Sequence, residues 1–158
     1  VLGTAGVPNA PLVTGDTARF DVHYQAARSE RIVGPVSVSL TLRTSKNLRL
    51  ACAWSEIIHK EFRDLPPQGT FRLTVPRFPL LSGTYGVSIS ILQGNILFDK
   101  LLINDCVTVV PGNFYSHGDV NSDLGLVCFD YDWIAMESSD LSSAVREGLR
   151  ETEGSIDA

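Results

Sequence analysis

The sequence predicts an all-β chain, an immunoglobulin-like antiparallel β-sandwich with a short C-terminal helix or a disordered tail. Three observations predict it. Apolar residues alternate with polar ones over several stretches of six to nine residues. Turn chemistry falls between those stretches at regular intervals. The chain has 158 residues, 44% of them apolar, enough for one domain with a real core.

The strands follow in order. "RFDVHY" places Phe20, Val22 and Tyr24 on one side and Arg19, Asp21 and His23 on the other. "PVSVSLTLR" separates Val36, Val38, Leu40 and Leu42 from Ser37, Ser39, Thr41 and Arg43. "LRLACAWS" supplies a further strand. "TFRLTV" groups Phe71, Leu73 and Val75, and "TYGVSISIL" groups Tyr85, Val87, Ile89 and Ile91. Such period-two patterns belong to strands that bury one face and wet the other. "CVTVV" is a last strand, and "FDKLLIN" adds an edge strand or begins that last one. "RTSKN", "DLPPQG", "PLLSG" and "QGN" are the turns.

The ends differ from this body. Residues 1–13, rich in Gly, Pro and Ala, read as a linker or irregular lead-in. The sandwich is expected over 14–135. From Glu137 onward there are six acids against two bases, so 136–158 is an acidic tail. Leu141, Val145 and Leu149 recur every four residues there, which allows one short helix. Starting at Val1, the chain reads as a fragment or a processed product.

Charge and motifs narrow the chemistry. A net charge of −5 opposes a nucleic-acid surface, which needs a basic stripe to meet phosphates. It also opposes adhesion to anionic lipid. No run approaches the roughly 20 apolar residues of a membrane helix. Cys52, Cys106 and Cys128 form no CxxC, and their odd number suits a reducing compartment. No phosphate-binding loop, dinucleotide fingerprint, zinc-protease motif or nucleophile elbow is present. His23, His59 and His117 are scattered. Glu56 and Glu61 are two loop carboxylates with no stated separation. No catalytic residue, metal or cofactor is expected.

The run "GDVNSDLGLVCFDYDW" raises a calcium question. Asp119, Asn121, Asp123 and Asp130 match positions 1, 3, 5 and 12 of a calcium loop. Position 6, however, is Leu124, and the glycine follows one place late at Gly125. A branched side chain there opposes the positive φ of the bend. An Asx-rich loop or hairpin is the expectation, with Trp133 plugging the end of the sandwich.

From residue 14 to 133 the order of features resembles the C-terminal domain of the ATP-binding subunit of polysaccharide ABC exporters, the Wzt type. "DTARFDVHYQAARSERIVGPVSVSLTLRTSKNLRLACAWSE", "LPPQGTFRLTVPRFPLLSGTYGVSISILQGNILFDKLLINDCVTVV" and "HGDVNSDLGLVCFDYDW" carry the resemblance. It implies a cytoplasmic, non-catalytic domain, peripheral to the inner membrane in the full-length protein. Such a domain recognises the terminal region of a bacterial O-antigen polysaccharide, within lipopolysaccharide biosynthesis, and couples the finished chain to its exporter. The implied partners are that polysaccharide, a second copy with strand exchange in some cases, an N-terminal ATPase domain and a membrane permease. It also implies that the last stretch is a closing strand and loop. The acidic tail departs from the family pattern.

Sugar recognition needs hydroxyl partners and a flat apolar plate. On an immunoglobulin-like order, Ser37, Ser39, Thr41 and Arg43 share a wet sheet face with Thr84, Ser88 and Ser90. Trp54 or His59 would supply the plate. Two other readings stay open: a carbohydrate- or calcium-binding module of a secreted protein, and a purely dimerising structural sandwich.

Overall fold

In the computed structural model, residues 10–120 and 122–135 are described. Seven strands form two sheets. They are β1 (Leu12–Val13), β2 (Ala18–Gln25), β3 (Val36–Arg43), β4 (Arg49–Trp54), β5 (Gln68–Val75), β6 (Gly83–Gln93) and β7 (Ile96–Val110). The larger sheet runs β1-β7-β6-β3-β4, and the smaller is β2-β5. All pairs are antiparallel except β1, which lies parallel to the end of β7 at Val109 and Val110.

Leu12 and Val13, expected in the lead-in, are therefore a strand, and Leu12 is fully buried. "FDKLLIN" and "CVTVV" are one strand rather than two. The apolar runs on both sides of Asn104–Cys106 keep the backbone extended, and the interruption is absorbed as a bulge. There Tyr85 faces Val107 while Val87 faces Ile103. Asp105 takes a φ of 48° inside that bulge. The β6–β7 hairpin turns on Gly94-Asn95, with Gly94 at a φ of 57°. A two-residue hairpin with positive φ at its first central residue suits glycine, which has no Cβ to clash.

The core lies between the sheets, where every second residue of each strand points inward. Phe20 of β2 meets Phe78 with ring centroids 6.0 Å apart. Leu12, Leu40, Leu42, Leu80, Tyr85, Val87, Val107 and Val109 close around them. Burying a side chain of this size is worth about 1.5–3 kcal/mol each. Two hydroxyls caught in the core are satisfied. Thr14 Oγ1 donates to the Leu80 carbonyl at 2.7 Å, and Tyr85 Oη donates to the Leu81 carbonyl at 2.7 Å. Burial raises the Tyr85 phenol above its ordinary pKa, so it stays a donor. A second cluster packs Leu81, Phe114 and Cys128 beside Tyr115 and Val120.

The chain divides into two compact units, Val1–Cys128 and Phe129–Ala158. The closing strand expected from "LVCFDYDW" is not formed. Val127 makes a single bridge to Leu80, and 129–135 carry no strand. Acidic side chains alternate with the aromatic ones there and pull the segment towards water. Within the second unit the Phe129 and Tyr131 rings lie 5.6 Å apart. Trp133 is 87% exposed and is not a core plug. The expected acidic tail lies outside the described residues.

On the outer face of the small sheet, Asp21 and Arg72 are register partners. Arg72 Nε and Nη2 donate to the two carboxylate oxygens at 2.7 and 2.8 Å. That hydrogen bonding holds Asp21 below the usual carboxylate range. A lowered folded pKa stabilises the fold above the unfolded value near 3.9, and the contribution is lost as pH falls through the folded pKa. Arg72 is more than half exposed, which limits the effect. Asp21→Asn is expected to cost under about 1 kcal/mol at neutral pH. It should also flatten the loss of stability below about pH 4. Urea titrations across pH check both.

Candidate functional site

Strands β3 and β6 pair in unbroken register, from Val36 opposite Gln93 to Arg43 opposite Gly86. Directly opposite residues share a face, and faces alternate along the strand. Leu40, Leu42, Val87 and Ile89 belong to the core side. Ser37, Ser39, Thr41, Arg43, Gly86, Ser88 and Ser90 therefore share the outer side. The register extends this face outward. Thr41 lies between Cys52 of β4 and Ser88, and Leu102 of β7 lies beyond Ser88. Ser39 lies between Trp54 and Ser90, with Lys100 beyond.

The result is a strip of small residues on β3 and β6 flanked by larger ones on β4 and β7, termed the outer groove. β3 and β6 carry hydroxyls, while Trp54 and Cys52 rise on one side and Lys100 and Leu102 on the other. Wall to wall is three strand spacings, roughly 14 Å. The floor is not the wet surface expected. Ser37 is 4% exposed, Thr41 7% and Ser88 4%. They sit on the two central strands, where larger neighbours cover them. Trp54 Nε1 donates to Ser37 Oγ at 3.3 Å, so the indole lies against the floor. Thr41 Oγ1 donates to Cys52 Sγ at 3.3 Å. Gly86 keeps the floor low beside the β7 bulge, since a Cβ would come within 3.1 Å of the Ile103 carbonyl oxygen. Ser39 and Ser90 are half-buried and accessible from the groove.

Two expected residues sit differently. Thr84 is exposed at the far end of β6, opposite Thr108. His59 is exposed on the turn after β4, at a φ of 56°. That turn carries Ile57 and Ile58 to a cleft between the sheets, so Trp54 alone is the plate within the groove. Cys52, Lys100 and Leu102 were missed by sequence reasoning. Each sits two residues from another member of its own face, as in Cys52-x-Trp54. Only the neighbouring strand tells which of the two faces that is.

The larger concavities lie elsewhere, because two strands cannot cover five. A cleft of about 520 Å³ opens on the β4–β5 flank, lined by Trp54, Ile57, Ile58, Phe62 and Phe71 among others. One of about 360 Å³ opens on the β2–β7 flank, where Asp21, His23, Asp99 and Cys106 meet Ile89, Leu101 and Ile103. Trp54 borders both the outer groove and the larger cleft.

Two of the other candidate groups make local bonds. His23 Nδ1 lies 2.8 Å from Thr70 Oγ1, and Glu61 pairs with Arg63 at 3.1 Å. In the acidic loop, Ser122–Leu124 form a 3-10 turn, and Gly125 takes a φ of 145°. Asn121 lies outside the described residues. Among the described residues, no three His, Cys, Asp or Glu side chains gather into a metal-binding group.

No family model matches the chain, and no curated protein matches it. Among the solved structures that match, one aligns over 84% of this chain and 78% of its own, with a TM-score of 0.57 and 17% identity. The chain is similar to the C-terminal domain of Wzt. At this identity the likeness is one of fold: a two-sheet, all-β sandwich.

All three cysteines are free. Cys52 and Cys106 are exposed, whereas Cys128 is 4% exposed. Burial pushes the Cys106 and Cys128 thiols up. Iodoacetamide should modify Cys52 on the groove wall and, at higher pH, Cys106 in the folded chain. Cys128 should react only on unfolding. Peptide mapping by mass spectrometry reads all three sites.

Proposed function

We propose that this chain is a non-catalytic domain that recognises the terminal region of a bacterial O-antigen polysaccharide. It couples the finished chain to an ABC exporter. The observation that carries this reading is the outer groove: a hydroxyl floor beside the Trp54 ring, on a fold like that of the C-terminal domain of Wzt. A pyranose offers hydroxyls to Ser39 and Ser90 and its C–H face to the indole. Ser37, Thr41, Arg43 and Ser88 complete the proposed set, the buried hydroxyls by shaping the floor, with Thr84 at its far end; His59 lies on the turn outside the groove. The immunoglobulin-like assignment is supported by the order β7-β6-β3 facing β2-β5 and by the Tyr85–Leu81 hydrogen bond at the start of β6.

The domain would act in the cytoplasm, against the inner membrane, in a protein that carries its ATPase elsewhere. No helix among the described residues is long and apolar enough to cross a membrane. A single sugar-scale contact gives a Kd near 1 mM, roughly −4 kcal/mol. Two copies beside one exporter raise the effective concentration of sites. Trp54→Ala is expected to weaken binding of an O-polysaccharide by roughly tenfold, the loss of one stacking plate. NMR titration of the 158-residue chain measures it. Wild-type resonances that ignore every bacterial O-polysaccharide would sink the reading.

A homodimer is part of this proposal. From Ile96 to Cys106, β7 pairs with β6 on one side, and β1 joins only at Val109 and Val110. Ile96, Phe98 and Leu101 are at least half exposed along that edge. An apolar strand edge with unpaired backbone groups is a template for another strand. Replacing Ile96 and Phe98 together by Lys is expected to yield a monomer. Light scattering behind a sizing column gives the mass of both proteins.

A further inference from the structure

The cleft of about 520 Å³ on the β4–β5 flank joins an apolar wall to a rim of one charge sign. Both strands that border it are sheet ends, β4 bound only to β3 and β5 only to β2. Val22, Val38 and Leu73 belong to the inward faces of their strands, yet they are only half-buried there.

The turn after β4 adds to that wall. Beyond it the chain rejoins β3 at Phe62, which exchanges backbone hydrogen bonds with Val36 at 2.8 and 2.9 Å. The turn is closed by His59 N to the Glu56 carbonyl at 2.9 Å and by Lys60 N to the Ser55 carbonyl at 2.8 Å. It holds Ile57 and Ile58 against the cleft although they are 67% and 63% exposed. Two adjacent isoleucines kept in water by a hydrogen-bonded turn form an apolar patch without a cover. Phe62 and Phe71, with ring centroids 4.9 Å apart, continue it.

The only charged residues lining this cleft are Lys60 and Arg72, on a chain of net −5. Arg72 is taken up by Asp21 in the bidentate pair described above. Lys60 belongs to none of the ion pairs among the described residues. The acids near it in sequence lie off the wall: Glu61 is bound by Arg63, and Glu56 is exposed on the turn. The β2–β7 cleft is the opposite case. Asp21, Asp99 and His23 line it, and no lysine or arginine does.

We propose that the β4–β5 cleft binds a fatty-acid-like amphiphile, with one unbranched acyl chain between the sheets and its carboxylate on Lys60. A cavity of this volume suits a small ligand, and apolar walls with one available cation fix which end goes where. Burial of the chain supplies the affinity, and the ammonium supplies the choice of head group. A lysine can lay its methylenes on an apolar wall and keep its charge in water, so Lys60 can meet a carboxylate at the rim. The site goes beyond the glycan reading and does not rest on it. Cleft and outer groove meet only at Cys52 and Trp54 of β4.

The test titrates the 158-residue chain with octanoate, decanoate and dodecanoate, each below its micelle concentration. Decyltrimethylammonium presents the same chain under the opposite charge. Calorimetry reads the affinity, and NMR shifts at Ala53, Ile57, Ile58 and Leu73 locate the site. Affinity is expected to rise roughly fourfold per methylene, the increment for burying one CH₂. Decanoate should bind roughly fivefold tighter than the cation, against the sign of the net charge. Ala53 is half-buried on the cleft wall, opposite Leu40 of the core. Ala53→Phe fills the cleft and should weaken decanoate roughly tenfold. Lys60→Gln should weaken the carboxylates about threefold and leave the chain-length slope intact; as an exposed substitution it also serves if Ala53→Phe fails to fold. No saturable binding of decanoate, an affinity that ignores chain length, or equal binding of the cation overturns the inference. So does a wild-type dimer that Ala53→Phe turns into a monomer, since a second copy then covers the cleft. Each of these outcomes leaves the glycan reading standing.

Discussion

Between β3 and β6, eight consecutive residues pair without a slip, and nearly every feature of this chain depends on that register. It sends Leu40, Leu42, Val87 and Ile89 towards Phe20 and Phe78, where burial drives folding. By the same alternation it sends Thr41, Ser39, Ser88 and Ser90 to the other side. A slip by one residue would exchange the two sets, burying hydroxyls in the core and exposing leucines. Core and groove are two faces of one pairing, so neither can be altered alone by moving a strand.

The mismatch between sheets explains the rest of the surface. A two-stranded layer spans about 5 Å between strand axes and a five-stranded one about 19 Å. The smaller sheet seals the middle, around Phe20, and leaves a cleft on each flank. Those clefts are apolar because their walls are the same inward-facing residues, left without a cover. The outer groove is different in kind. It lies on the outer side of the larger sheet, and the residues of β3 and β6 along it are mostly Ser and Thr.

Local irregularities place the distinctive groups. The bulge at Leu50 returns Arg49 to the face of Arg43. The bulge at Asn104–Cys106 brings β7 close over Gly86, where a Cβ would sit a tight 3.1 Å from the Ile103 carbonyl oxygen. Both occur beside the hairpin end of the groove. Bulges that re-aim side chains next to a site are a recurrent device of β proteins.

Much of this was legible in the residues. The strands β2, β3, β5 and β6 follow from alternation, because a half-buried strand must alternate. The pairing of "PVSVSLTLR" with "TYGVSISIL" placed most of the groove's hydroxyls on one face. Other features depended on neighbours that a sequence does not display. "FDKLLIN" and "CVTVV" are one strand because β6 is long enough to template both. Leu12 and Val13 are a strand because the end of β7 offers them an edge. Ser37, Thr41 and Ser88 are buried because Trp54, Cys52 and Leu102 flank them, and exposure is a property of surroundings. Arg49 joined Arg43 through a one-residue bulge that no composition or period signals. The residues alone determined β2, β3, β5 and β6 and the alternation of their two faces. Tertiary structure decided which strands became neighbours, and with them the walls of the groove.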